Sequence, residues 1–160
     1  MSRFSRLFVG VFVVSSLLIP VSAAVRASAT RPGNWMFPQG AVATVPLTTA
    51  GATSLTFSGS GKHMITYSAE CAVSSASSLA WLTIEIILDG VALPPTAGTV
   101  DAFCSGNGTA GFDGWTTHTI SVPTPTLPTG THTLVIQASL QSGVAGDSGW
   151  LGDSSLVVTK

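Results

Sequence analysis

Two segments of the chain alternate strictly between apolar and mixed positions, and this pattern constrains the fold more than any other feature. The apolar positions of the first segment are Leu82, Ile84, Ile86 and Leu88, and those of the second are Leu134, Ile136, Ala138 and Leu140. A period of two places alternate side chains on opposite faces of a β-strand. Both segments are therefore predicted to be strands of sheets that cover a core on one side.

Short runs rich in Val, Ile, Thr and aromatic residues recur along the rest of the chain, separated by Gly, Pro and Ser. Nine strands are predicted: 41–47, 54–58, 63–71, 81–88, 91–93, 99–104, 115–122, 131–140 and 154–159. No stretch keeps a helical period for three turns. This pattern is typical of an all-β fold, and we predict an antiparallel β-sandwich of the jelly-roll type with about eight to nine strands.

Two of the connections carry turn signals. Asp89-Gly90 stands between two apolar runs, which predicts a tight hairpin whose central residues both adopt positive φ. The prolines in "VPTPTLPTG", residues 122–130, cannot donate to a sheet, so this segment is expected to be an exposed crossing or an edge.

The first 23 residues resemble an export signal. Two arginines precede an apolar run from Leu7 to Ile19, and Val21-Ser22-Ala23 supplies small residues at a cleavage site. The apolar run is shorter than the roughly 20 residues that span a bilayer. We predict a signal peptide at 1–23, an irregular N-terminal arm at 24–40 and one β-sandwich domain at 41–160, with secretion to the extracellular space and no membrane insertion.

Charge is scarce, which excludes some partners. Arg3 and Arg6 lie in the signal segment, so the remaining chain has four basic residues against seven acidic ones. Basic residues this few and scattered form no stripe, which argues against binding to nucleic acid or to anionic membranes.

The chain has two cysteines, Cys71 and Cys104. In an oxidising compartment an even number of cysteines indicates a disulfide. Closing a loop of this length stabilises a fold by about 3–4 kcal/mol on a chain-entropy estimate. Free thiols acting as a nucleophile or as metal ligands are the alternative.

A family resemblance covers residues 80–160. The segment "DGWTTHTISVPTPTLPTGTHTLVIQASL", residues 113–140, resembles the second half of galactose-binding-like jelly rolls, and especially of small carbohydrate-binding modules. "LTIEIILDGVAL" and "GWLGDSSLVV" resemble that family's hairpin and closing strand. The resemblance implies that Trp115 stacks a sugar ring and that the closing loop, near Asp147 and Asp153, contacts sugar hydroxyls. Trimeric jelly rolls of the complement-C1q kind share a similar pattern of strands.

The tripeptide Thr-His-Thr occurs twice, around His118 and His132. A simple hairpin between the two strands would make the imidazoles cross-strand neighbours that could hold a metal ion. A crossing that changes sheets would separate them. No acid stands at a helpful offset in either strand, so we interpret each histidine as one side chain among threonines on a half-exposed strand face.

Two further kinds of chemistry depend on carboxylates. Glu70 and Glu85 lie on predicted strands, and a glycosidase would need two such groups about 5–10 Å apart in one cleft. The loops around Asn107, Asp113, Asp147 and Asp153 could hold a structural calcium ion, although Asx turns explain the same residues.

These observations predict a secreted, non-catalytic binding module for a polysaccharide, a cell-surface glycan or another extracellular surface, without a cofactor. The predicted ligand-binding residues are Trp115, Phe112, Asn107, Asp113 and Asp147. The first alternative is a structural or assembly subunit, as a homo-oligomer and in particular a homotrimer of the C1q kind. The second is a β-sandwich glycoside hydrolase that uses the two glutamates.

Overall fold

Antiparallel strands account for most of the chain. The computed structural model describes residues 23–77, 79–98, 101–110 and 114–160. Eleven strands lie in these ranges: β1 (Val25–Arg31), β2 (Trp35–Pro38), β3 (Val42–Thr44), β4 (Leu55–Gly61), β5 (Met64–Ser74), β6 (Trp81–Leu88), β7 (Val91–Ala92), β8 (Cys104–Ser105), β9 (Thr116–Pro123), β10 (Leu127–Gln141) and β11 (Ser148–Thr159). The same ranges contain no helix that is long and apolar enough to span a bilayer.

The strands form two sheets. The five-stranded sheet has the order β1-β11-β5-β9, with β2 also paired to β11. The six-stranded sheet has the order β3-β10-β6-β7, with β4 also paired to β10 and β8 to β6. β1 and β2 both pair with β11, β3 and β4 both pair with β10, and β7 and β8 both pair with β6. The two strands of each pair share one position, so the eleven strands occupy eight positions, four in each sheet. This order confirms the predicted jelly-roll sandwich.

The core lies between the two sheets. All eight apolar positions of the two alternating segments are buried, as predicted, and they line the inner face of the six-stranded sheet. The five-stranded sheet faces them with buried side chains that include Ile65, Tyr67, Val122, Leu156 and Val158. Burying each large apolar side chain contributes about 1.5–3 kcal/mol, so this layer is the main source of stability.

The predicted hairpin and disulfide are both confirmed. Asp89 and Gly90 have φ angles of 50° and 84°, and they connect β6 to β7 as a tight turn. Cys71 in β5 is bonded to Cys104 in β8, with the Cα atoms 6.3 Å apart. Because β5 and β8 belong to different sheets, the disulfide links the two layers of the sandwich.

The N-terminal arm is not irregular, so that prediction is wrong. β1 pairs antiparallel with β11 from Val25 to Arg31, and β2 pairs with it from Trp35 to Pro38. Main-chain hydrogen bonds hold these strands at the edge of the sheet, and most of their side chains are at least partly exposed. Ala27 and Ala29 of β1 pack against the core and alternate with exposed Ser28 and Thr30, but alanine is small, so the alternation is faint in the sequence.

The boundaries of three further strands differ from the prediction. β10 begins at Leu127 because a bulge between Leu127 and Gly130 accommodates Pro128 within the pairing to β4. The proline-rich segment is therefore partly a strand. β11 begins at Ser148 because its first residues pair with β2 and with β5. The predicted strand at 99–104 reduces to Cys104–Ser105, and residues 99 and 100 lie outside the described ranges.

Candidate functional site

An irregularity in β11 opens the outer face of the five-stranded sheet. The register between β11 and β5 shifts between Gly152 and Ser155, and Asp153 has a φ angle of 33°. The break between β1 and β2 lies at the same place, since the backbone N–H of Gly33 donates to Oδ1 of Asp153 at 2.7 Å. Bulges of this kind redirect side chains and are frequent beside functional sites.

Three side chains from separate segments converge over Gly152. A Cβ atom added to Gly152 would lie 2.8 Å from Asn34 Oδ1, 3.2 Å from Trp115 Cζ3 and 3.4 Å from Glu70 Oε2. Because glycine has no side chain, all three groups can approach the backbone of β11. We call this place the Gly152 hollow and define it by Asn34, Glu70, Trp115 and the neighbouring Trp150.

The two tryptophans of the hollow contact each other edge to face. Their ring centroids lie 6.4 Å apart with an interplanar angle of 78°. Both side chains are half-buried. Alternation turns Trp150 outward, and Trp81 on β6 likewise, because Leu151 and Leu82, which follow them, take the inward positions.

The other predicted ligand residues have different surroundings. Asn107 is exposed, and its Oδ1 accepts a hydrogen bond from the backbone N–H of Thr109 at 3.0 Å, which is an Asx turn. Phe112 and Asp113 lie outside the described residues. Of the predicted ligand residues that the structure describes, Trp115 alone belongs to the hollow.

Asp147 is a buried residue that joins two loops. Its Oδ2 accepts hydrogen bonds from the Ser75 hydroxyl at 2.6 Å and from the backbone N–H of Val144 at 2.7 Å. These two hydrogen bonds lower the pKa of the Asp147 carboxyl below its ordinary value, and the bond from Ser75 has the larger effect. The Asp147 carboxylate therefore holds the two loops together. The sequence pattern did not indicate this structural role.

The two Thr-His-Thr segments lie in different sheets. His118 is opposite Ala69 of β5, whereas His132 is opposite Phe57 of β4. The crossing changes sheets, so the imidazoles are not cross-strand neighbours and the metal-pair hypothesis is wrong. The interpretation as separate side chains is confirmed, except that His132 is buried rather than half-exposed.

The two glutamates also lie apart. Glu70 is on β5 between the buried residues Ala69 and Cys71, and Glu85 is on β6 between the buried residues Ile84 and Ile86. Each glutamate thus points outward from its own sheet, and the outer faces are on opposite sides of the sandwich. Glu85 Oε1 accepts a hydrogen bond from the Gly98 N–H at 2.7 Å. A shared hydrolytic cleft is incompatible with this arrangement.

A stack of three rings lies near the Asp89-Gly90 turn. Phe57 lies between His63 and His132, with ring centroids 5.2 Å and 5.4 Å away. His132 Nδ1 donates a hydrogen bond to the Asp89 carboxylate, and this bond is the main cause that raises the pKa of His132. His63 is buried, neither of its ring nitrogens has a hydrogen-bond partner among the described residues, and burial lowers its pKa. Sequence reasoning singled out neither Asp89 as a partner nor His63.

Comparison with known proteins identifies a shared fold. No protein-family model matches the sequence, and no curated protein matches it. A solved structure of the infectious bursal disease virus Gx strain is similar, with a TM-score of 0.50 and 20% identity over 94% of this chain and 36% of the viral chain. The VP2 subviral particle of infectious bursal disease virus gives a TM-score of 0.49 and 21% identity over 94% of this chain and 37% of that chain.

The chain spans little more than a third of the length of these viral proteins. At 20% identity the likeness to the Gx strain structure shows the fold alone, and it agrees with the jelly-roll order of the strands. The resemblance to galactose-binding-like jelly rolls is not tested by these comparisons and stays a prediction, as does secretion.

Proposed function

We propose that the chain is a non-catalytic structural subunit that associates with a second copy of itself through β9. One observation carries this proposal: β9 is an edge strand of eight residues without charged side chains or a bulge. An unprotected edge offers a row of main-chain N–H and C=O groups to another strand.

The environment of β9 is unusual within this molecule. β9 pairs with β5 along all eight of its residues without a register shift, and no other described strand pairs with it. Its sequence, "TTHTISVP", contains no Lys, Arg, Asp or Glu. Charged residues, bulges, very short length and proline normally keep an edge from pairing, and of these β9 has only Pro123, at its end.

The other edges of the described sheets do carry such devices. β1 contains Arg26 and Arg31 and a register shift near its start. The pairing of β4 is interrupted by a bulge, and Lys160 Nζ donates to the Ser60 carbonyl oxygen at 2.7 Å. β3, β7 and β8 have only two or three residues. β9 is therefore the edge that best accepts a partner strand.

A second copy fits this edge because two β9 strands would meet without charge repulsion. An antiparallel pair of β9 strands about a twofold axis would extend the two five-stranded sheets into one. A groove of about 180 Å³ between β9 and residues 101–103 leaves space beside the strand. Such a contact makes a dimer rather than the trimer suggested by the C1q-like pattern.

The experiment is a mass measurement by light scattering on wild type, Thr119→Lys and Thr133→Lys. Thr119 and Thr133 are both exposed strand residues, but Thr119 lies on β9 and Thr133 on the central strand β10. We expect wild type and Thr133→Lys to be dimers and Thr119→Lys to be a monomer, because a lysine on the edge disfavours pairing. A monomeric wild type, or equal masses for both variants, would contradict the proposal.

A further inference from the structure

We propose that Asn107 is the acceptor of an N-linked glycan. The proposal goes beyond self-association and does not depend on it, because Asn107 lies in the loop after β8 and not on β9. It does depend on the predicted export of the chain, since N-linked glycans are attached to chains that enter a secretory compartment.

The sequence around Asn107 has the form that this modification requires. Asn107-Gly108-Thr109 is an Asn-x-Thr triplet whose middle residue is not proline. Asn34, the other asparagine of the chain, has a methionine two positions later instead of a serine or threonine. Asn107 is therefore the one position in this sequence that fits an N-linked glycan.

The conformation of the triplet leaves the side-chain amide open to solvent. Asn107 and Thr109 are both exposed. Asn107 Oδ1 accepts the hydrogen bond from the Thr109 N–H at 3.0 Å, so the oxygen turns towards the backbone and the amide nitrogen points away from it. Gly108 has a φ angle of 82°, which glycine adopts without strain. The nitrogen that would carry the glycan thus belongs to an exposed turn without being part of its hydrogen bond.

The reaction needs one co-reactant, a lipid-linked oligosaccharide pyrophosphate, which the secretory compartment supplies. The Asn107 amide nitrogen attacks the anomeric carbon of the first sugar. A C–N bond forms as the C–O bond to the pyrophosphate breaks, the amide loses one proton, and the lipid pyrophosphate leaves with the electron pair of the broken bond. Nothing is oxidised or reduced, so the step is a group transfer to the side chain.

The position of Asn107 in the fold has room for a bulky group. The pairing of β8 with β6 continues to a hydrogen bond from the Gly106 N–H to the Ala80 carbonyl oxygen at 2.8 Å. Asn107 follows Gly106 and Leu79 precedes Ala80, so these two residues lie where the pairing ends, and Leu79 is 73% exposed. A glycan on Asn107 would therefore project from the end of this pairing without displacing a strand.

The same end of the sandwich has little charge of its own. No Asp, Glu, Lys or Arg occurs between Glu70 and Glu85, and none occurs from 104 to 112. A glycan is bulky and hydrophilic. On Asn107 it would supply the solvation that charged side chains do not provide in these two segments.

The test is secretion of the chain from cultured mammalian cells, either with its own residues 1–23 or with a standard secretory leader in their place. The intact mass of the secreted protein is measured before and after digestion with peptide N-glycosidase. Asn107→Gln and Thr109→Ala destroy the triplet, and the matched controls are Thr109→Ser, which keeps a hydroxyl group, and Asn34→Gln. We expect wild type and both controls to lose mass on digestion, and the two triplet variants to be secreted at the mass of the bare chain.

The digestion also identifies the acceptor without any variant, because it converts a glycosylated asparagine to aspartate. Mass spectrometry of the wild-type peptide should therefore find this change at position 107, even if a variant fails to fold. A wild type that carries no glycan with either leader, or a glycan that remains on Asn107→Gln, would overturn the proposal. A glycan that forms only with the standard leader upholds Asn107 as the acceptor and contradicts the predicted export signal.

Discussion

His132 donates from Nδ1 to the Asp89 carboxylate at 2.8 Å and from Nε2 to the Pro128 carbonyl oxygen at 3.1 Å. Both partners can only accept, so both ring nitrogens carry a proton and the imidazole is favoured in its charged form. The pKa of His132 is accordingly raised from 6.5, mainly by the bond to Asp89. The pKa of Asp89 is lowered from 3.8, first by the Thr133 backbone N–H and then by His132.

The first prediction concerns Asp89→Asn. A raised histidine pKa contributes stability that is complete below 6.5 and is lost as the pH rises through the folded value, whereas a lowered carboxyl pKa contributes stability that is lost in acid. The ion pair therefore contributes most between about pH 4 and pH 6.5. The Asp89 side chain is 46% exposed, so solvent screening keeps the expected loss of unfolding free energy near 1 kcal/mol.

Urea unfolding at a series of pH values measures this loss. Asparagine keeps the positive φ of the turn accessible, so the variant removes the charge without removing the hairpin. Asp101→Asn, in an exposed loop, is the control. An equal loss of unfolding free energy at every pH would show that the ion pair does not contribute to this loss.

The second prediction concerns His63→Leu. Burial lowers the pKa of His63 from 6.5, only partly offset by the nearby Gly61 backbone, and Lys160, Arg26 and His132 add positive charge around it. The unfolded chain then binds the proton more readily, so wild-type stability falls as the pH drops below 6.5 towards the folded value. We expect His63→Leu to make the unfolding free energy less dependent on pH in this window, with little change near pH 7.

The same urea series tests this expectation. His132 contributes its stability in the acidic window, so a His132→Leu variant should change the pH dependence in the opposite direction. If wild type and His63→Leu show parallel pH profiles, His63 does not titrate on unfolding and the prediction is wrong.

The third prediction compares two glycines. A Cβ at Gly149 would lie 2.6 Å from Phe37 Cζ and 3.1 Å from Leu82 Cδ1, both in the core, whereas a Cβ at Gly130 would meet no atom within 4 Å. Overpacking a core costs about 1–3 kcal/mol, so Gly149→Ala should lower the unfolding free energy by that amount. Gly130→Ala should leave it nearly unchanged. Thermal or urea unfolding of both variants measures the difference in their unfolding free energies. Equal stability of the two variants would refute the close packing at Gly149.

Much of the fold is predictable from local pattern. The alternation around Ile84 and Ile136 identifies both strands and their buried faces, because the period of two is a property of the strand itself. Asp89-Gly90 predicts its turn, because few residue pairs tolerate two positive φ angles. β1 escapes prediction because its inward residues, Ala27 and Ala29, are small, so the strand depends largely on main-chain pairing with β11, which leaves no clear pattern in the sequence.

The candidate site shows the limit of that reasoning. Trp115 is identifiable as an aromatic residue beside a loop, but its partners are far away in the chain: Asn34 lies between β1 and β2, and Glu70 lies on β5. They meet over Gly152 only because β11 bulges where β1 and β2 separate. The spacing of residues in the sequence does not reveal that these side chains are close in space. Nor does it reveal that the Asp147 carboxylate accepts a hydrogen bond from the Ser75 hydroxyl.

The sequence by itself determined the secondary structure class, the inward face of the main strands, the hairpin and the pair of cysteines, since each depends on neighbouring residues or on composition. Only the tertiary structure decided which strands share a sheet, that His118 and His132 lie in different sheets, that β9 has a free edge and that Trp115 lies beside Glu70. Those relationships depend on main-chain hydrogen bonds between distant segments, which any strand can form and which side-chain pattern alone does not specify.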